Sequence, residues 1–411
     1  MRKHPRTRQT ATTLALILLL VGGLAAAPVE AGKFNALPHA NEVPRLAELL
    51  RAGDELPRER YDFYVHEGDG RLVRLALEEV GRGDPSQLIV LIHGALSNRN
   101  TWRYMVGDLG QDHRLLLIDV LGSGDSQKVD PDELGPEGYG PTRQARRVLQ
   151  ALRTFVARRA TPTTRLTIVG HSLGGAIVLR LAGAPELRRE FADVIDLIDR
   201  VVLMAALDFA VERADPAIVE IVKLGKTKVG LARMFGLLRK KAAQFELDAY
   251  VDPGFATHEE AYKLVGVLKK ASNRRPAQAQ LEQAVPFDLK SHKPNWEQIE
   301  ALVADYRNVT IPCLIVWGAR DETLPLSMGY KLQAQLPDAT LIVIRNTKHS
   351  MQLERPHLSS SIVREFIESG TRGRERISEI RPGTQQNHAV AAHLVDSNST
   401  TLVLLSGRKS P

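Results

Sequence analysis

The spacing of apolar residues divides this 411-residue chain. Between Tyr61 and Val80, apolar and polar side chains alternate on either side of Asp69-Gly70. That is the pattern of two half-buried strands joined by a hairpin turn. Short continuous apolar runs follow at Gln87–Ile92, Arg114–Val120, Arg165–Val169, Arg200–Ala206, Ile311–Trp317 and Thr340–Ile344. Runs of this length read as strands buried on both faces. Segments of helical period lie between them. Over residues 142–160, Val148, Leu149, Leu152, Phe155 and Val156 recur at helical spacing, and Gly175–Leu181 and residues 327–336 and 357–369 also read as helices. Strands alternating with helices predict an α/β domain with a mostly parallel sheet covered on both faces.

The rhythm breaks once. Residues 209–308 contain no strand of this kind, are helical in pattern and are rich in Lys and Arg. They are expected to form a helical cap inserted between two core strands, which assigns residues 61–208 and 309–370 to the core. Residues 32–60 are polar and punctuated by proline, the pattern of a leader lying on the surface. Residues 371–411 are polar and expected to be mostly disordered, with Leu402-Val403-Leu404-Leu405 a short apolar exception.

At the N-terminus a basic stretch, Arg2 to Arg8, precedes an apolar run from Leu14 to Leu24 and the small-x-small sequence Val29-Glu30-Ala31. This is the layout of a signal peptide over residues 1–31, and it predicts an extracytoplasmic protein, periplasmic or secreted. The alternative is an uncleaved membrane anchor. The apolar run falls short of the ~20 residues of a full span, though Ala11 to Val29 comes near it.

Composition changes this picture little. The formal charge is +7 and the isoelectric point about 9.4. Arg2, Lys3, Arg6 and Arg8 outweigh Glu30 at the start, and residues 371–411 carry six basic against three acidic side chains. The ends thus hold nearly all of the excess. A near-neutral body argues against a nucleic-acid partner. The single cysteine, Cys313, lies in an apolar strand pattern. It cannot form an internal disulfide and reads as a small core hydrophobe. The sequence shows no metal-binding cluster, P-loop or dinucleotide fingerprint, so no cofactor is expected.

The candidate chemistry centres on Gly170-His171-Ser172-Leu173-Gly174, a G-x-S-x-G sequence between an expected strand and an expected helix. A sharp strand-to-helix turn exposes the serine hydroxyl at the carboxyl edge of a sheet. A serine hydroxyl needs a base within reach, and the base needs an orienting acid. Asp321 follows the strand ending at Trp317, and His349 follows the strand ending at Ile344. All three lie at strand carboxyl ends, in the order serine, acid, histidine. Oxyanion donors are expected from the backbone amides of Leu173, at the helix start, and Ala95, in the loop after Gln87–Ile92.

These features resemble the α/β-hydrolase superfamily in its capped serine-hydrolase branch, which is esterase- or lipase-like. The matching motifs are His93-Gly94, Asp119 to Ser126, Gly170 to Gly175, Gly318-Ala319-Arg320-Asp321 and His349, over about residues 61–369. The resemblance implies an eight-stranded sheet with a cap, and gives the Asp119 to Ser126 turn a chiefly structural part. It leaves substrate class open. Asp208, after the strand ending at Ala206, is a rival for the acid, because some family members carry it there. His171 and His93 read as structural, and Glu322 as a surface charge.

The predicted activity is hydrolysis of a small-molecule or lipid-like carboxylic ester through an acyl-enzyme. Two alternatives stand beside it. Residues 221–241 interleave apolar side chains with Lys223, Lys226, Lys228, Arg233, Arg239, Lys240 and Lys241. That pattern fits either a lid over the acyl pocket or a cap in peripheral contact with anionic membrane, as in a lipase or lysophospholipase. The other alternative is a non-catalytic ligand-binding protein on the same scaffold. Oligomeric state is not legible in the sequence.

Overall fold

The computed structural model describes residues 43–159, 161, 163–209, 270–288, 293–369 and 403–406. The main sheet is built from β1 (Arg58–His66), β2 (Leu72–Val80), β3 (Gln87–Ile92), β4 (Arg114–Asp119), β5 (Arg165–His171), β6 (Ile198–Met204), β7 (Cys313–Gly318) and β8 (Ala339–Ile344). These are the eight strands expected. A ninth, β9 (Val403–Ser406), pairs antiparallel with β8. The spatial order is β1-β2-β4-β3-β5-β6-β7-β8-β9. β1, β2 and β4 pair antiparallel, and β4 through β8 run parallel. The middle strands are buried almost throughout, as their unbroken apolar runs require.

Helices Pro141–Arg159 and Leu173–Gly183 pack together, while Arg103–Leu109 packs against Pro356–Ser369. Chain order reverses direction around β3. The chain passes from β3 to β4 on one side and then crosses to β5 on the other. Ligands bind open α/β sheets in the crevice beyond the strand ends at such a reversal.

Two segments differ from the sequence-based expectation. The stretch expected as a surface leader contains a helix, Val43–Asp54, that buries Leu46 and Leu49. Pro44 reads as a breaker but occupies the first turn, where proline costs no helical hydrogen bond. β1 also starts at Arg58 rather than Tyr61. Its charges look like loop in the sequence, yet Arg58 Nη1 lies 3.4 Å and Arg60 Nε 3.5 Å from Glu78 Oε1 on β2.

Most of the predicted cap lies outside the described residues, as do the signal segment and the tail apart from β9. The described end of the cap comprises helix Ala271–Glu282, a two-residue ladder of 287–288 with 293–294, and helix Trp296–Ala304. It closes onto the turn after β4, where Gln280 Nε2 donates to Leu121 O at 2.8 Å. Cys313 is buried in β7, and burial pushes its thiol pKa up, away from reactivity.

Candidate active site

Ser172 stands at the junction of β5 and helix Leu173–Gly183 with φ +53° and ψ −118°. A non-glycine residue holds such a conformation only where its surroundings over-determine it, at a cost of about 1–3 kcal/mol. The surroundings here are main-chain hydrogen bonds. Ser172 N donates to Met204 O at 3.0 Å, and Ser172 O accepts from Gly175 N and Leu207 N, each at 2.9 Å. The flanking glycines are required by contact. A methyl group on Gly170 would lie 2.4 Å from Gly174 O, and one on Gly174 would lie 2.2 Å from Ile92 O.

The second half of the site comes from the loops after β7 and β8. His349 Nδ1 lies 2.8 Å from Asp321 Oδ2. The other carboxylate oxygen accepts from Thr323 N at 2.9 Å and Leu324 N at 2.8 Å. Asp321 is therefore held in place from both oxygens. Both side chains are buried, with His349 7% exposed. Glu322 is exposed and pairs with Lys348 at 3.0 Å. Asp208 is fully buried, and its charge bears on the Tyr306 phenol, whose pKa burial and then Asp208 push up. Of the two candidate acids, Asp321 is the one that meets the imidazole.

His171 joins the halves of the site. Its ring centroid is 4.9 Å from that of His349, and its Nε2 lies 3.0 Å from the His349 carbonyl oxygen. Among the described residues no hydrogen bond links the Ser172 hydroxyl to His349 directly. Catalytic hydrogen bonds often tighten only when substrate is bound.

The loop after β3 passes close to Ser172 at Gly94, the residue before Ala95. Gly94 passes so near that a methyl group on it would lie 3.0 Å from Ser172 Cβ. Leu173 is the first residue of its helix. Its amide has no intrahelical acceptor and sits at the positive end of the helix dipole.

His93 is fully buried. Val120 N donates to its Nε2 at 3.2 Å, and its Nδ1 lies 2.8 Å from Gly94 O. These partners fix the neutral Nδ1–H form, and burial holds its pKa down. The turn after β4 is tied by Asp119. Its carboxylate accepts from Arg99 N at 2.7 Å and Asp125 N at 2.8 Å, and it pairs with the Arg99 guanidinium. Gly124 takes φ +48°, and a side chain there would collide with that carboxylate. The turn is thus tied to the loop after β3 through His93 and Arg99. Arg99, Thr101 and Gln352 are the site's supports that sequence reasoning missed, because their partners lie far away in the chain.

The family model for the alpha/beta hydrolase fold matches residues 87–356, from β3 to just past His349. The chain belongs to that family. It is 25% identical over 283 residues to YugF, an uncharacterized hydrolase of Bacillus subtilis (strain 168), covering 68% of this chain and 90% of YugF. It is 24% identical over 293 residues to a 2-hydroxy-6-oxo-6-(2'-aminophenyl)hexa-2,4-dienoic acid hydrolase of Metapseudomonas resinovorans, covering 70% of this chain and 86% of the relative. Among solved structures, Cfl2 of Burkholderia cenocepacia superposes with a TM-score of 0.57 at 19% identity, covering 75% of this chain and 96% of Cfl2. Family membership and the hydrolase relatives support hydrolase activity for this alpha/beta hydrolase.

Proposed function

We propose that this hydrolase cleaves carboxylic esters by serine nucleophilic catalysis. The observation that carries the reading is the strained Ser172 turn, whose neighbour His171 packs on a buried His349 with Nδ1 held by Asp321 at 2.8 Å. His349 takes the Ser172 proton as the hydroxyl attacks the acyl carbonyl. Asp321 keeps the imidazole in the tautomer with its lone pair on Nε2 and stabilises the cation that forms. The Ala95 and Leu173 amides receive the oxyanion. His349 then protonates the leaving alkoxide, and water repeats the cycle on the acyl-enzyme.

A fluorophosphonate probe tests this. The expected adduct is on Ser172 and is lost in Ser172→Ala, together with turnover of a chain-length panel of chromogenic esters. Wild-type protein that takes no adduct would instead support the ligand-binding reading.

Residues 221–241 favour a second reading, in which the ester is a lipid at a membrane surface. Activity that rises on anionic but not neutral vesicles is its signature. Residues 1–31 support export. Intact mass of protein from the native host tests this, with a mature chain beginning near Gly32 expected.

A further inference from the structure

Behind the catalytic pair runs a line of buried polar contacts that the reaction above does not use. The His349 carbonyl oxygen can only accept a hydrogen bond, so His171 Nε2, 3.0 Å away, carries a proton. His171 Nδ1 faces Gln352 Nε2 at 3.3 Å, and the same amide nitrogen reaches Thr101 Oγ1 at 3.1 Å. Gln352 is fully buried, and its Oε1 has no hydrogen-bond partner among the described residues. The side chain gives up its acceptor in order to aim its donor. We propose that Gln352 is a positioning residue for catalysis, holding His171 as the neutral Nε2–H tautomer so that His171 in turn fixes the main chain of His349.

The opposite amide orientation has a definite consequence. Gln352 Oε1 would then face Nδ1, which would need a proton to meet it. With Nε2 already protonated, His171 would become a cation. That cation would sit 4.9 Å from the His349 ring, which itself becomes positive when it takes the serine proton. The titratable groups that bear on His171 are His349 and His93, and neither offers negative charge. The ring of Trp102 stands edge-on at 6.4 Å. Burial, and next the neighbouring His349, depress the His171 pKa to about 3. A donor at Nδ1 reinforces that neutrality, whereas an acceptor would oppose it.

The proposal deepens the serine-hydrolase reading and rests on it, so its test needs one readout independent of turnover. Gln352→Met keeps the volume and removes the donor. Gln352→Glu places an acceptor at Nδ1. Met should lower kcat by about tenfold to a hundredfold through misplacement of His349. Its KM should stay near the wild-type value and the shape of its pH profile should not change.

Glu should lower kcat further and add a second ionisation to the acid limb, because His171 would now bind a proton as pH falls. Nitrogen-15 NMR of histidine in the wild-type chain should show His171 neutral and protonated on Nε2 at pH 6, and doubly protonated in the Glu variant. A Glu profile that superimposes on wild type after scaling would overturn the proposal. So would a wild-type His171 protonated on Nδ1, and that spectrum decides the matter even if both variants fail to fold. Absence of the Ser172 adduct would sink the hydrolase reading while leaving the tautomer result to stand or fall by itself.

Discussion

Gly174 lies so close to Ile92 that a methyl group at its Cβ position would be 2.2 Å from the Ile92 carbonyl oxygen and 2.7 Å from that of His93. The helix that follows Ser172 is therefore pressed onto the end of β3, which leads to the loop of Ala95. Neither neighbour is a flexible side chain that could yield. Gly174→Ala should destabilise by about 1–3 kcal/mol, as overpacking does. It should lower kcat by more than that loss explains, because the displaced strand end carries Ala95. Urea unfolding alongside ester kinetics checks both parts.

Asp321→Asn should leave the fold intact and lower kcat by about 10⁴-fold with little change in KM. The amide nitrogen can donate to His349 Nδ1, which would put the ring proton on Nε2 and remove the lone pair needed to take the serine proton. The Thr323 and Leu324 amides would hold the new side chain in place, as they now hold the carboxylate. Equal turnover by the two proteins would remove Asp321 from the mechanism.

Asp119→Ala should act through stability rather than chemistry. It would strip the main-chain and guanidinium partners from Arg99, which is 8% exposed. Breaking such a pair costs about 3–5 kcal/mol because a buried charge is left uncompensated. Asp125 and Glu78 still flank Arg99, so the lower end of that range is expected. Denaturant midpoints measure the loss. A midpoint like that of wild type would show that the turn does not depend on this pair.

Stability should fall in mild acid. The His171 pKa is about 3 in the folded protein, and burial lowers that of His93 as well. Both return to near 6.5 on unfolding. The unfolded chain therefore binds more protons, and stability rises with pH. For His171 the contribution is complete above the unfolded pKa and is lost progressively as pH falls from about 6.5 toward about 3. Between pH 7 and 5, His171 alone accounts for about 2 kcal/mol. Urea unfolding at the two values checks this, and His171→Asn should reduce the slope. A flat pH response would mean that neither ring is buried as described.

The parts of this protein that can be read from its sequence depend on local pattern. Unbroken apolar runs mark β3 to β8, and a serine between two glycines marks the turn after β5. Asp321 and His349 are legible because each follows a recognisable strand. The helix Val43–Asp54 escapes notice because Pro44 resembles a breaker and its apolar face is narrow. The ladder of β1 escapes in part because its charges find their partners only on β2. Gln352 looks like any polar residue in its helix, Met351–Glu354. Its significance comes from two contacts, with Thr101 and His171, that are 251 and 181 residues away in the chain.

β3 and β5 are hydrogen-bonded neighbours, with Ile92 opposite Gly170. The spacing between Ser172 and the loop after β3 is therefore set by a ladder, whereas Asp321 and His349 sit on loops beyond β7 and β8. The two halves of the site should age differently. As temperature rises, the half around Ser172, proposed to bind and attack the acyl group, should hold its shape. The half around Asp321 and His349, proposed to shuttle protons, should drift first, so warmed protein would still capture reactive phosphonates slowly after ester turnover has faded.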